Sequence, residues 1–497
     1  MKKCLIVFAL FIGLLIPFSC SDEEHVIPLR APVNGITEST EVQNFIWQGL
    51  NIYYLWQESV PNLDDTKIKN NSSYLSFLEA TPDPDVFFEN LIYNRETVDK
   101  WSWIVDDYIE LENYFAGVSK NNGVDFGLVG FKDKEDVYGY VRYILPNTDA
   151  SEKNIKRGNL FTHVNGTKLT LGNYRNLLFN KDSDTYTLDL LEYGSGYPFT
   201  PTGISITLTK FEYTENPVFI TKTFMENGHK IGYILYNSFT PNFDNELNNA
   251  FLQLKNESVT DLILDFRYNP GGRVSTALSL ASMVTGQFKG ELFTKEQWNS
   301  KLQTEIENSH PEWLINNFSD KMNNGNTIHS LNLNKVHIIV TGSSASASEL
   351  VINGLNPYIN VRLIGGKTVG KYVASVTLYD SNDFSREGAN TNHRYAMQPI
   401  VLEEVNKIEE NDKDGFDPHI LLPEDLNNLG VLGEKEEPLL KAAINDIIGV
   451  SPKTSQTKGM KYEPITNSKL HGPLKDNMYV EKEGIKQILQ RKIINPK

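Results

Sequence analysis

Cysteine is nearly absent from this sequence of 497 residues, which contains only Cys4 and Cys20. The remainder of the chain can therefore form no disulfide, and it offers neither a thiol nucleophile nor a cysteine-ligated zinc site. The H-E-x-x-H pattern of zinc peptidases is missing too, and we expect neither a metal nor a cofactor. An excess of basic residues is also lacking, because the net charge is −16. This charge argues against a nucleic-acid partner, since phosphate binding needs a basic face.

The N-terminus has the pattern of a secretory signal peptide. Two lysines precede an apolar run at residues 4–18 that is too short to span a bilayer comfortably. Cys20 follows a small residue, as at a lipoprotein cleavage site, so we expect removal of residues 1–19 and lipidation of Cys20. Residues 20–38 would then form a polar tether for an exported outer-membrane lipoprotein that faces the periplasm or the cell surface. Ordinary cleavage nearby, which would leave a soluble secreted protein, is the alternative.

Four regions with different patterns follow the tether. Residues 39–116 carry aromatic and apolar side chains at helical spacing, which predicts a helical region. Residues 117–215 consist of short β-rich runs punctuated by Gly and Asn, as in a small β domain. Residues 222–447 alternate strand and helix patterns, which predicts a sheet with covering helices. Residues 448–497 predict a loosely held extension or a small appended element, so the pattern of the whole chain indicates a multidomain α+β protein.

Three segments with chemical potential each follow a predicted strand. The segment at 341–350 opens a helix, and its Ser346 and Glu349 have the S-x-x-E spacing of a capping box. Ser346 can therefore be a helix cap, a nucleophile, or both, because a helix N-terminus also favours developing negative charge. The other two segments are the Gly-rich and Lys-containing 365–371 and the Asn-Pro-Gly-Gly turn within 265–272. Residues beyond the carboxyl ends of neighbouring strands converge on one crevice, so the three segments can meet there.

At these segments, namely residues 265–272, 344–349 and 364–371, the sequence resembles the C-terminal processing peptidases, or tail-specific proteases. The resemblance covers residues 40–447 and is weakest before residue 115. It implies an N-terminal helical domain, a PDZ-like β-rich domain and an α/β peptidase core of the ClpP/crotonase-like type. It also implies a serine endopeptidase that binds the C-termini of protein or peptide substrates.

The resemblance assigns roles to particular residues. Ser346 is the implied nucleophile and Lys371 the implied general base. Gly271 and Ala347 would supply the N–H groups of an oxyanion hole, with Gly272 as a close second choice for the first donor. A free lysine has a pKa of about 10.4, whereas a useful base titrates near pH 7, so the implied role requires Lys371 to be buried among apolar groups.

The sequence departs from the family pattern in two places. Ser375 stands where many members have a glutamine that orients the lysine amine, and we expect it to take the orienting role with a shorter reach. Pro357 stands where some members have an acidic residue. Lys367 competes with Lys371 for the role of base, but it occupies a position that is usually not basic in the family.

In the β-rich region, the resemblance points to a loop that binds a peptide C-terminus. The residues concerned are Phe126, Gly127, Leu128, Val129 and Gly130. Their backbone N–H groups would receive the terminal carboxylate, while the peptide adds as a strand along the edge of the domain.

Two other functions stay open from the sequence. A peptidase with a histidine base is one of them, and His337, His393 and His419 are the histidines considered for it. The second is a catalytically inactive, peptide-binding surface lipoprotein, which the replacement of glutamine by Ser375 favours.

Overall fold

The computed structural model describes residues 30–193, 199–411, 413–450, 462–471 and 478–481. The predicted signal peptide and the predicted lipidation site, Cys20, lie outside these residues. Across the described ranges, no helix is long and apolar enough to cross a membrane.

The N-terminal region is largely helical, as its aromatic spacing predicts. Its elements are α1 (Glu41–Tyr53), α2 (Asn71–Glu79), α3 (Pro84–Glu89), β1 (Trp103–Val105) and α4 (Tyr108–Phe115). Helix α3 begins at a proline, and the carboxylate of Asp83 accepts hydrogen bonds from the N–H groups of Asp85 and Val86 at 2.9 and 3.2 Å. This is the N-terminal capping expected where a proline occupies the first helical position. The apolar face of α1, including Phe45 and Leu50, is fully buried in the main core.

The second region is a β-rich domain with one helix. Its elements are β2 (Val118–Asn121), β3 (Val124–Gly130), β4 (Val137–Ile144), β5 (Leu160–Val164), β6 (Thr167–Lys168), α5 (Tyr174–Leu178), β7 (Thr185–Glu192), β8 (Thr200–Thr209) and β9 (Phe211–Thr214). The sheet has the order β3-β4-β5-β7-β8, with β6 beside β5. Gly139 lies against the Phe161 ring so closely that an added Cβ would sit 1.9 Å from a ring atom. Only glycine allows this packing of β4 on β5.

The third region contains the largest set of alternating strands and helices. Its elements are β10 (Val218–Glu226), β11 (His229–Tyr236), α6 (Asp244–Asn256), β12 (Asp261–Asp265), β13 (Gly272–Arg273), α7 (Val274–Val284), β14 (Leu292–Trp298), α8 (Ser300–Ser309), β15 (Ile315–Asn317), β16 (Lys335–Val340), α9 (Ala347–Leu355), β17 (Asn360–Gly365), β18 (Val373–Ser375), β19 (Leu378–Tyr379), β20 (Ala396–Gln398), β21 (Ile400–Asn406), β22 (Ile420–Leu421) and α10 (Pro438–Ile447).

The central sheet of this region has the order β10-β11-β12-β16-β17-β22, and it is parallel except for the β10–β11 pair. Successive side chains of β16 face opposite sides, so Ile338 packs with the cluster that includes α6, α7 and α9, while Ile339 packs with α10. Burial on both faces explains why apolar residues occupy successive positions in β12 (262–264) and in β16 (338–340), rather than alternating with polar ones. Strands β12, β16 and β17 are neighbours, so the three segments that follow them meet at one edge.

The C-terminal region contains two strands that the prediction of a loosely held extension or a small appended element does not specify. They are β23 (Glu463–Asn467) and β24 (Met478–Tyr479). Strand β23 pairs with β3 of the β-rich domain, and β24 lies between β13 and β18 in a second sheet of order β13-β24-β18-β21-β14-β15. Their pairing has a physical cause that composition does not reveal, because both strands complete main-chain hydrogen bonding at the edges of other elements.

Candidate active site

Ser346 lies at the junction between β16 and α9, immediately before the first residue of the helix. Its backbone has φ 66° and ψ −118°, a left-handed conformation that costs energy for any residue with a Cβ. The residue is fully buried, and within the described part of the chain its Oγ has no hydrogen-bond partner. A strained backbone and a buried hydroxyl that donates to no acceptor in the described chain are features expected of a nucleophile.

Glu349 joins the Ser346 loop to the segment that carries Lys371. Its Oε2 accepts hydrogen bonds from the N–H of Ser346 at 2.8 Å and from the N–H of Lys371 at 2.9 Å. Its Oε1 accepts one from the N–H of Gly370 at 2.6 Å. Burial raises the pKa of the Glu349 carboxyl to about 7, although hydrogen bonds from Thr368 and from these N–H groups oppose the rise. The sequence indicates Glu349 only as part of a capping box, and its contact with residues 370 and 371 is not predicted by that spacing.

Lys371 is buried, with 1% of its surface exposed. Its Nζ lies 6.0 Å from the centre of the Trp101 ring, which belongs to the N-terminal helical region. Gly370, at φ 91°, lets the chain pass close to residues 413–415, where an added Cβ would sit 2.5 Å from the carbonyl oxygen of Lys413. Lys367, the competing base, is half exposed and lies 3.5 Å from a carboxylate oxygen of Asp417. The desolvated environment that a lysine base requires therefore surrounds Lys371 and not Lys367.

The Asn-Pro-Gly-Gly turn is tied to the serine loop through Asn269. Its carbonyl oxygen accepts hydrogen bonds from the Ala345 N–H and the Ser348 Oγ, both at 3.1 Å. Its side-chain Oδ1 accepts the N–H of Gly271 at 2.9 Å, so this first-choice oxyanion donor is engaged within the turn. Gly272, the second choice, lies in β13 opposite Met478.

Ala347 and Ser375 occupy different positions relative to the serine. Ala347 is the first residue of α9, where backbone N–H groups have no partner within the helix. Ser375 is buried at the end of β18, where its hydroxyl donates to Gln398 Oε1 at 2.7 Å and its Oγ also lies 3.2 Å from the Met478 carbonyl oxygen. A glutamine is thus present beside the predicted orienting residue, but it comes from β20. Pro357 lies in the turn after α9.

The histidines lie away from the serine loop. His337 points to the α10 side of the central sheet, where its Nε2 is 3.0 Å from Asp446 Oδ2. Burial, with a further contribution from Lys335, lowers the pKa of His337 to about 4. His393 contacts Asp380 at 2.8 Å, and His419 accepts the Leu363 N–H at 3.0 Å. None of these three rings contacts Ser346, so the described geometry does not support a histidine base.

A buried ion cluster holds the turn that precedes Asn269. Arg267 is fully buried and donates to Asp265 Oδ2 at 2.7 Å and to Glu437 Oε1 at 2.6 Å. Next to it, the Tyr268 hydroxyl donates to Glu424 at 2.5 Å. The Glu424 carboxylate also accepts a hydrogen bond from Arg157 of the β-rich domain at 2.8 Å. The sequence does not predict this cluster, because most of its partners are separated by more than a hundred residues.

The predicted peptide-binding residues 126–130 lie in a strand, β3, and not in the loop that we expected. Pairing with β4 on one side and β23 on the other fixes them in an extended conformation. A cleft of about 630 Å³ separates this domain from the turn and is lined by Phe126, Pro270 and Lys469, among others. The domain also reaches the serine loop directly, because Arg142 donates to the Ser343 Oγ at 2.9 Å.

Comparison with family models identifies two matching parts of the chain. Residues 230–422 match peptidase family S41, and residues 41–103 match the peptidase S41 N-terminal domain. All three segments that form the site fall within the first match.

Curated relatives are similar over part of their length. A carboxyl-terminal-processing protease from Picosynechococcus is 24% identical over 249 residues, which is 50% of this chain and 52% of that protein. A Staphylococcus epidermidis protein described as a CtpA-like serine protease is 27% identical over 152 residues, 31% of this chain and 27% of the relative. The chain therefore spans about half, or less, of these relatives.

Among solved structures, one from Bacteroides fragilis that is assigned to the S41 proteases has a TM-score of 0.61 at 23% identity. The match covers 82% of this chain and 98% of that structure. It confirms the predicted fold class, which combines a helical N-terminal region, a β-rich domain and an α/β core.

Proposed function

Because this chain belongs to peptidase family S41, we propose that it is a serine endopeptidase with Ser346 as nucleophile and Lys371 as general base. The substrates we propose are exported proteins, presented as extended segments. The further parts of the proposal concern the oxyanion site, the recognition of C-termini and the location of the protein.

One observation carries the proposal, namely that Glu349 Oε2 accepts the N–H groups of both Ser346 and Lys371. The backbones of the two residues are therefore held within two hydrogen-bond lengths of each other. Side chains that start so close together can meet without movement of a domain. Fixed positioning of this kind supplies a large part of the rate enhancement in serine hydrolases.

The proposed mechanism begins with an uncharged Lys371 amine, since burial disfavours the ammonium form of a lysine. The amine removes the proton from Ser346 Oγ as that oxygen attacks the peptide carbonyl carbon. Lys371 then delivers the proton to the leaving amine when the peptide bond breaks. A water molecule, activated by the same amine, hydrolyses the acyl-enzyme and regenerates the Ser346 hydroxyl.

For the oxyanion that forms during attack, we propose the N–H groups of Ala347 and Gly272. Ala347 begins α9, so its N–H points out of the positive end of the helix. Gly272 is preferred to Gly271 because the Gly271 N–H already donates to Asn269. Donors fixed before the reaction stabilise the developing charge with little reorganisation.

We further propose that the β-rich domain acts as a PDZ-like domain that binds the C-terminal segments of substrates along β3. The support is that β23 pairs antiparallel with β3, so this edge accepts an added strand. We also propose that the protein is exported and anchored through a lipid on Cys20, at the periplasmic or outer face of the membrane. This part rests on the N-terminal sequence pattern alone.

The test compares Ser346→Ala and Lys371→Ala with the unmodified chain on a chemically unfolded, fluorescently labelled casein. We expect cleavage by Ser346→Ala to fall below detection and kcat of Lys371→Ala to fall by about 10²–10⁴-fold, the usual range for a general base. Lys367→Ala is the matched control, because it removes a half-exposed lysine from the same segment, and we expect it to retain activity. Cleavage that survives both active-site changes would reject the Ser–Lys pair.

A catalytically inactive peptide-binding lipoprotein is the second candidate, and Ser375 in place of glutamine is the observation that favours it. An unmodified chain that binds the unfolded substrate but neither cleaves it nor reacts with a fluorophosphonate would support that function. Labelling of Ser346 by the fluorophosphonate would exclude it.

A further inference from the structure

The chain places its own C-terminal residues between the two segments that flank the proposed active site. Strand β24 runs parallel to β13, with Met478 opposite Gly272, and parallel to β18, with Tyr479 opposite Ser375. The Val480 N–H donates to the Ser375 carbonyl oxygen at 3.0 Å. An extended peptide thus lies between the oxyanion turn on one side and the strand that follows Lys371 on the other.

The side chains of this strand also contact residues around the proposed active site. Met478 is fully buried and lines a small cavity together with Leu350, Lys371 and Tyr372. Tyr479 stacks on Phe115 of α4, with the ring centres 4.3 Å apart. These contacts bury an apolar residue next to the proposed base, as a substrate side chain would be in a specificity pocket.

An ion pair also holds the residue that follows this strand. The Glu481 carboxylate, which is more than half exposed, pairs with Arg273 of β13.

The preceding part of the same segment occupies the proposed peptide edge of the β-rich domain. Strand β23 pairs with β3, and the Ser468 Oγ accepts the Phe126 N–H at 3.1 Å. Lys469 donates to the carbonyl oxygen of Tyr268, next to the oxyanion turn, at 3.2 Å. One stretch of chain therefore covers both places where a peptide substrate would bind.

We propose that the described C-terminal stretches, residues 462–471 and 478–481, act as an internal peptide ligand that blocks the catalytic cleft and must leave it before a substrate enters. The proposal rests on the proposed peptidase function, because only then is the cleft a substrate site. The space that β24 occupies between β13 and β18 also defines the substrate class, which is an extended segment running parallel to these two strands. At the position of Met478 this segment presents an unbranched apolar side chain.

The experiment compares Val480→Pro with Val480→Ala in the full chain. Both changes replace the branched valine side chain, but only proline also removes the N–H that bonds to Ser375. Exchange of the Tyr479 amide, which belongs to β24 and lies in its ladder with β13, reports whether β24 has left the cleft. Fluorophosphonate labelling of Ser346 and cleavage of unfolded casein report whether the site has opened.

We expect the proline variant to exchange the Tyr479 amide faster, and to label and cleave about 5- to 10-fold faster, than the alanine variant. A fluorescently labelled synthetic peptide of residues 462–481, added in excess, should bind to the proline variant and suppress both reactions. Persistent protection in the proline variant would identify β24 as a fixed structural strand and overturn the proposal. Release of β24 with equal or lower activity would overturn it as well, while leaving the peptidase function intact.

Failure of the peptidase function gives a different result. In that case neither variant reacts with the fluorophosphonate or cleaves casein. Binding of the added peptide is then the measurement that tests the internal ligand. Binding of the labelled peptide to the proline variant would support an internal ligand in a peptide-binding cleft, and absence of binding would overturn it.

Discussion

Replacing Glu349 by glutamine should separate the stability of this protein from its activity. Glutamine has nearly the same shape as glutamate but only one acceptor oxygen, and its amide group is a donor. The three N–H groups of Ser346, Gly370 and Lys371 share two carboxylate oxygens in the unmodified chain. In Glu349→Gln at least one of them faces another donor, so the position of Lys371 relative to Ser346 changes.

The stability effect follows from the pKa of Glu349, which burial raises from 4.5 to about 7. Between these two values the folded chain holds a proton that the unfolded chain releases. The free energy of unfolding contributed by this group therefore falls as pH rises from 4.5 to 7, by about 3 kcal/mol. Glutamine cannot ionise, so its variant should not show this fall. Relative to the unmodified chain, the free energy of unfolding of the variant should therefore rise by about 3 kcal/mol between pH 4.5 and pH 8.

The activity should change in the opposite direction. A displacement of about 1 Å between reacting groups can lower a rate by about 100-fold. We expect kcat of Glu349→Gln to fall by about 10- to 100-fold at pH 8, with KM nearly unchanged, because the carboxylate positions the reacting residues and does not contact the substrate. Urea unfolding followed by tryptophan fluorescence at pH 5 and pH 8, together with initial rates on a fluorogenic peptide, measures both effects.

Two results would refute this reasoning. The first is a kcat within twofold of that of the unmodified chain, which would show that the shared carboxylate does not position the pair. The second is a stability difference that is the same at both pH values, which would show that Glu349 titrates normally in the folded state.

Three further predictions concern other residues of the site and its support. Ser375→Ala should lower kcat by about tenfold and leave KM unchanged in initial-rate measurements, because the Gln398 carbonyl loses a buried donor. In the unmodified chain the free energy of unfolding should fall by about 3 kcal/mol between pH 6.5 and pH 4, because the pKa of His337 is about 4 in the folded chain and the unfolded chain takes up the proton below pH 6.5. His337→Gln should remove this fall in urea unfolding at the two pH values. A pH–rate profile that loses a limb near pH 6.5 in this variant would instead support a histidine base. Arg267→Met should lower the free energy of unfolding in urea by about 3–5 kcal/mol, because two buried carboxylates lose their partner, and a loss below 1 kcal/mol would contradict the role of the ion cluster.

Much of the fold could be predicted because local patterns determine it. The short apolar runs within β12, β16 and β17 indicate strands buried on both faces, and glycine, serine or asparagine follows each of them. The carboxyl ends of parallel strands share one edge, so the order of these patterns along the sequence is enough to predict that Ser346 and Lys371 lie near each other.

The remaining features depend on contacts between distant parts of the chain. The S-x-x-E spacing predicts that Glu349 bonds to Ser346, but the N–H of Lys371 reaches the same carboxylate only because β16 and β17 are adjacent. Likewise, nothing in the composition of residues 463–467 and 478–479 shows that they join two sheets, since an exposed edge can pair with any extended segment.

The backbone of Ser346 has a consequence for sequence drift in this protein. At φ 66° and ψ −118° a residue with a side chain is strained by about 1–3 kcal/mol, whereas glycine adopts positive φ readily. Ser346→Gly should therefore fold more stably than Ser346→Ala, although both lack the hydroxyl. Under the proposed function, selection for catalysis keeps a strained serine there, and a lineage released from that selection would be expected to replace it with glycine.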